Sequence, residues 1–223
     1  MLRIKPLLVP LSLSLLLCGA AICGTAQATD EGSEAVATSA AGTESPQEVV
    51  EELHAGLLGI MEQADELGFQ GRYQQLRPVV ARTFDVEFMG SKSVGSHWKK
   101  LTPEEQQLWL DKFIAYVTAN YAGNFKDHNG ERFETLGDEA AQRDTRVVLT
   151  QLKVPGDEDV ILNYRLRLTP QGWRIIDIYL KGTVSELALR RSDFAATLKN
   201  RGFADLAATV DQKIADLKNR AGG

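Results

Sequence analysis

Residues 147–180 read VVLTQLKVPGDEDVILNYRLRLTPQGWRIIDIYL. Val148, Thr150, Leu152 and Val154 alternate with polar residues, as do Leu162, Tyr164, Leu166 and Leu168, and then Ile176, Ile178 and Leu180. A period of two places such residues on one face of a strand. Pro155-Gly156-Asp157 and Thr169-Pro170-Gln171-Gly172 supply turns between the runs. With Arg132 to Leu136 as a first member, the pattern predicts a four-stranded antiparallel meander with one apolar face.

The flanking sequence has the helical period. Ser45-Pro46 reads as an N-cap with proline at the first helical position, and Val50, Leu53, Leu57, Ile60, Ala64 and Leu67 follow at helical spacing up to Gly68. Tyr73, Leu76, Val80 and Phe84 mark a second helix, which Pro78 is expected to bend or break. A short apolar turn holds Val86, Phe88 and Met89. Thr102-Pro103-Glu104-Glu105 is a capping-box start. The helix it opens carries Leu108, Trp109, Leu110, Phe113, Ile114, Tyr116, Val117 and Tyr121, wider than one stripe, so it is expected to touch two apolar environments. Beyond Gly182 come two more helices, Leu187 to Asn200 and Phe203 to Leu217, separated by Gly202. Helices, strands and helices together predict an α+β fold with one sheet face covered by several helices.

The chain has 223 residues and a net charge of −5. An acidic balance argues against nucleic acid as partner. Residues 1–28 have the form of a signal peptide: Arg3 and Lys5, an apolar run from Leu7 to Leu17 too short to span a bilayer, and Ala26-Gln27-Ala28 before the expected cleavage. Lipid attachment through Cys18 or Cys23 is the alternative, but Leu17 and Ile22 stand where a small residue is expected. Cleavage would remove both cysteines, exclude disulfide and thiol chemistry from the mature chain, and bring its charge to −7. An exported protein of this kind is expected in the periplasm. Residues 29–46 are small and polar and read as a flexible linker. Residues 47–218 form the expected single domain, roughly 170 residues that bury about 70% of their surface, and 219–223 a tail.

Catalytic signatures are scarce. His54, His97 and His128 lie on three segments without metal-ligand spacing, and no nucleophile elbow or phosphate-binding glycine loop occurs. Neither a metal nor a cofactor is therefore expected. Asp177, between Ile176 and Ile178, is one candidate general base: an acid facing an apolar cavity gains a raised pKa, as in ketosteroid-isomerase-like enzymes. The competing reading pairs it with Arg165, Arg167 or Arg174 on a neighbouring strand. Arg190-Arg191 could meet a phosphate, or pair with Glu186 and Asp193 on the helix surface. All 16 aromatic residues follow the signal segment, and many share the same helices and strands.

Gly71-Arg72-Tyr73 through Phe84-Asp85, then Phe88-Met89, Trp98, Thr102-Pro103-Glu104 and Tyr121, resembles the periplasmic phospholipid-binding MlaC family, also called toluene-tolerance or organic-solvent-tolerance auxiliary proteins. WRIIDIYLKGTVSELALRRSDFAATLKNRGFADLAATVDQKI, from Trp173 to Ile214, is similar to the family's C-terminal half. Gly182 to Ser192 resembles the hopanoid-associated HpnM branch. The resemblance implies a lipid carrier, not an enzyme, with a lipid cavity between sheet and helices. Phospholipid or hopanoid would be the ligand, exchanged with an inner-membrane ABC-type lipid transporter complex and an outer-membrane lipoprotein complex. It maps the cavity lining onto Phe84, Phe88, Met89, Trp98, Trp109, Phe113, Tyr116, Tyr121, Tyr164, Trp173, Ile176 and Ile178. Arg190 and Arg191 are the candidate headgroup contacts. A cavity-free adaptor acting through its faces is the third reading.

Overall fold

In the computed structural model, residues 45–221 are described. The expected signal peptide and residues 29–44 of the expected linker lie outside the described residues. The meander is present, with strands β1 (Arg132–Ala141), β2 (Thr145–Lys153), β3 (Val160–Thr169) and β4 (Gly172–Leu180) antiparallel in sequence order. The sheet has five strands rather than the expected four. Lys181 and Gly182 take positive φ and turn the chain back, so β5 (Val184–Ser185) pairs with β4 before the next helix starts. Two residues are too few to display an alternating pattern.

Val148, Thr150, Leu152, Leu162, Tyr164, Leu166 and Ile178 are buried as their spacing requires. Leu168, expected on the same face, is 56% exposed, one residue before β3 ends at Thr169. Two irregularities interrupt the ladder. Register shifts between Thr135 and Gly137 on β1, leaving Leu136 exposed, and at Arg165/Leu166, which pair with Asp177 and Ile175 and leave Ile176 bulged on β4. Ile175 and Ile176 are consequently both buried.

Helix α1 (Pro46–Glu62) starts with Ser45 accepting from the Glu48 amide at 3.2 Å, a reciprocal capping box. Val50, Leu53 and Leu57 on its inner face are wholly buried, and it lies across β1, β2 and β4. It stops at Glu62 rather than running on to Gly68, and α2 (Ala64–Thr83) follows. The break inside α2 falls at Gly68, with φ of 54°, and the helix continues through exposed Pro78. Glycine alone enters that region without a side-chain penalty, which fixes the break there.

Helix α3 (Val86–Ser93) and a 3-10 turn (Gly95–Lys100) lead to α4 (Pro103–Asn124), whose Thr102–Glu105 capping box forms as read. Helix α5 (Glu186–Arg201) packs on β4 and α3, and α6 (Phe203–Ala221) follows Gly202 at φ 86°. The two environments of α4 are other helices: it packs against α6 on one side and α2 and α3 on the other, while Leu108 stays exposed.

Arg72 of α2 is buried and closes the helical layer. It donates to the carbonyls of Ala122 and Ala64 at 2.9 Å and of Ala221 at 3.4 Å. Ala122 and Ala221 lie in the last turns of α4 and α6, where carbonyls lack helical partners and the helix dipole is negative. Burial lowers the Arg72 pKa, against the opposing pull of Asp127 and Asp65. Arg72→Met should cost about 3 kcal/mol in urea unfolding, because buried acceptors lose a charged donor; a loss below about 1 kcal/mol would show that water replaces it.

Candidate functional site

A cleft of about 600 Å³ opens where α3, the β1–β2 turn, β3, β4 and the start of α5 meet. Its apolar lining is Phe88, Ile176, Leu187 and Ala188; its charged lining is Lys92, Arg143, Arg165, Arg167, Arg191 and Asp177. The volume suits a small organic ligand. Five cations against one acid give the mouth a positive field.

Local structure explains how each group arrives there. The β4 bulge carries Ile176 out of register with Ile175, whose strand partner is Leu166. Asp85 caps α3 by accepting from the Phe88 amide at 2.9 Å and also accepts from Arg167 Nε at 2.6 Å. The Arg167 guanidinium lies 4.5 Å from the Phe88 ring centroid and Lys92 Nζ 5.4 Å from it, so one ring supports two cations. Arg165 donates to Thr145 Oγ1 and the Gln142 carbonyl, both at 2.9 Å. Arg191 runs over Gly95, where a Cβ would fall 2.9 Å from its Nε; the residue's φ of +61° also favours glycine. Arg143 and Asp144 both hold positive φ in the β1–β2 turn, a conformation non-glycine residues rarely keep.

Asp177 lines the cleft and forms no ion pair with Arg165, Arg167 or Arg174. Its carboxylate accepts from the Ile178 amide at 2.8 Å, from Ser185 Oγ at 2.6 Å and from the Leu187 amide at 3.1 Å. Arg165 is its strand partner but turns to Thr145, and Arg167 pairs with Asp85. Asp177 therefore fastens the first turn of α5 to β4, where an anion also meets the positive end of the helix dipole. Asp177→Ala should lower stability by about 2 kcal/mol through loss of this cap, measured by thermal or urea unfolding. An unchanged midpoint would show the cap to be dispensable.

The residues expected to line a lipid cavity divide into three groups. Phe88 and Ile176 line the cleft. Phe84, Met89, Trp109, Phe113, Tyr164 and Ile178 are buried in the interior, and Trp98, Tyr116, Tyr121 and Trp173 are half-buried against it. That interior is densely aromatic: Phe194 meets Trp109 and Tyr116 edge-on at 5.2 and 5.7 Å, and Tyr121 meets Phe84 at 6.0 Å. Burial pushes the Tyr121 phenol well above its ordinary range. The two candidate headgroup arginines part company. Arg191 rims the cleft, whereas Arg190 turns inward, pairs with Glu186 and lies 5.0 Å over the Tyr116 ring. Burial opposes the Arg190 charge, but Glu186 and Tyr116 outweigh it and the pKa is raised.

Lys92, Arg143, Arg165 and Arg167 were not legible as one site. Arg165 and Arg167 two apart on a strand give a readable signal, but Lys92 and Arg143 join them only through the fold. Of the histidines, His54 is buried, with Nε2 3.2 Å from Tyr164 Oη, and His128 contacts the Glu131 carbonyl at 3.2 Å. Among the described residues, no group of three His, Cys, Asp or Glu side chains is placed to hold a metal, and no helix is long and apolar enough to cross a membrane.

The sequence profile described as "MlaC protein" matches residues 51–212. The chain belongs to the MlaC family. Among solved structures, the fold is shared with the phospholipid-binding protein from Ralstonia solanacearum, determined in complex with a phospholipid. The superposition has a TM-score of 0.66 at 24% identity and covers 77% of this chain and 95% of that one. No curated protein sequence matches the chain.

Proposed function

We propose that this MlaC-family protein is a periplasmic lipid carrier that shelters acyl chains and transfers phospholipid between membrane-bound transport complexes. The observation that carries the reading is the cleft, where Phe88, Ile176 and Leu187 lie beneath a cationic rim. Acyl chains would lie against that apolar lining. The phosphate would stay at the mouth. The need for such a carrier is physical, since exposing one sixteen-carbon chain to water costs about 13 kcal/mol at roughly 0.8 kcal/mol per methylene.

The cationic rim favours phospholipid over hopanoid as cargo, since a phosphate supplies counter-charge that a fused hydrocarbon does not. The hydrogen bonds that Asp177 accepts from Ser185 and two amides favour a capping role for it over that of a general base. The export signal read in residues 1–28 and exchange with an inner-membrane ABC-type complex and an outer-membrane lipoprotein complex complete the proposal. Organic extraction of gently purified protein followed by lipid mass spectrometry tests it. Phospholipid is expected in the extract. Hopanoid would change the cargo, and no lipid from either native source or loaded vesicles would defeat the carrier reading.

A further inference from the structure

We infer that the cleft is a subsite for a phosphate headgroup of net negative charge and that it discriminates against zwitterionic headgroups. The inference rests on the carrier reading and names the lipid class it would favour. Lys92, Arg143 and Arg191 have no hydrogen bond or ion pair to any side chain or backbone group among the described residues. Arg165 is held by neutral acceptors only, and of the five cations Arg167 alone has a carboxylate partner, Asp85. The one acid in the lining, Asp177, has both oxygens committed to the start of α5.

A phosphodiester brought to this mouth meets several guanidinium groups able to grip it with paired N–H donors. A quaternary ammonium attached to the same phosphate meets those cations with no free carboxylate to receive it. Like charges brought together at a partly desolvated mouth are a means of rejecting the wrong ligand as well as selecting the right one. Phe88 lies beneath two of the cations, and a ring that already supports Arg167 and Lys92 has little left to offer a third. A glycerol headgroup carries no such charge.

The test loads delipidated full-length mature protein from vesicles containing equal phosphatidylglycerol and phosphatidylcholine with identical acyl chains. The protein is then repurified and the extracted lipids are counted. Phosphatidylglycerol should be enriched about tenfold, equivalent to roughly 1.4 kcal/mol of discrimination. The preference should collapse in about 1 M salt, where the Debye length is about 3 Å. The triple variant Lys92→Gln/Arg143→Gly/Arg191→Gln should bring the ratio to within about twofold of one. Arg143→Gly alone should reduce the enrichment by about threefold without strain at the turn, since glycine accepts its positive φ. Equal uptake of both lipids by the wild type would overturn the inference while leaving the carrier reading intact. Uptake of neither would defeat the carrier reading itself, and this inference with it. Glycerol 1-phosphate, which has the anion but no tails, should leave the ratio unaltered. If it occupies the cleft and abolishes the preference, the subsite serves free phosphate and the inference is wrong.

Discussion

Lowering the pH from 6.5 towards 3 should remove on the order of 5 kcal/mol of stability through His54 alone, at about 1.4 kcal/mol per pKa unit. Burial drives the His54 pKa from its ordinary 6.5 to about 3, so the folded protein keeps the ring neutral where the unfolded chain protonates it. The unfolded state then binds more protons, and unfolding free energy falls as pH falls. The contribution is complete above pH 6.5, declines across the interval and levels off below about 3. No carboxylate stabilises a charged ring here: His54 is stacked on Phe133 with centroids 3.9 Å apart and its Nε2 meets Tyr164 Oη. His54→Gln can keep a hydrogen bond to Tyr164 but does not titrate. Urea unfolding at closely spaced pH values should show the wild type losing one proton-equivalent of slope that the variant lacks. Glu48, Glu134 and Asp159, whose pKa values are lowered by hydrogen bonds, add acid lability below their ordinary range in both proteins and cancel in the difference. Parallel curves for the two proteins would refute the assignment.

Trp109→Ala should destabilise the protein by about 4 kcal/mol, the loss expected for a large aromatic removed from a tight core. Trp109 is fully buried, its ring meets Phe194 edge-on, and Nε1 donates to the Gly90 carbonyl at 2.9 Å and approaches Ser93 Oγ at 3.2 Å. The substitution removes packing and one of the two hydrogen bonds that the Gly90 carbonyl accepts, the other coming from Ser93 Oγ at 2.6 Å. Trp109→Phe should recover more than half of the loss, because most of the volume returns without the N–H. The pair also separates a core role from a ligand-lining one. If Trp109 lined a lipid cavity, Trp109→Ala would reduce extracted lipid and leave the unfolding midpoint of delipidated protein nearly unchanged. A core role predicts the opposite order.

Much of the secondary structure was legible because its causes are local. Thr102 caps α4 and Ser45 caps α1 through atoms three residues away. Val148 and Leu152 face inward because a strand alternates. The misreadings also have local causes. Pro78 and Gly68 both look like helix breakers, but α2 continues through Pro78 without one helical hydrogen bond, while glycine permits the positive φ at which α2 turns. Leu168 follows its strand's period yet stays exposed beside the end of β3.

The site was less legible. Aromatic residues suitable for lining a cavity and those suitable for filling a core are the same residues, and sequence spacing does not distinguish them. Arg190 and Arg191 are adjacent, but a helix turns successive side chains by about 100°, sending one to Glu186 and Tyr116 and the other to the cleft. Taken alone, the chain's sequence determined most of its order of helices and strands and its apolar faces, since periodicity, caps and turns depend on near neighbours. Tertiary structure decided which cations share a mouth. Lys92, Arg143, Arg167 and Arg191 lie on four separate elements, and only the packing of α3 and α5 against the sheet brings their charges into one field.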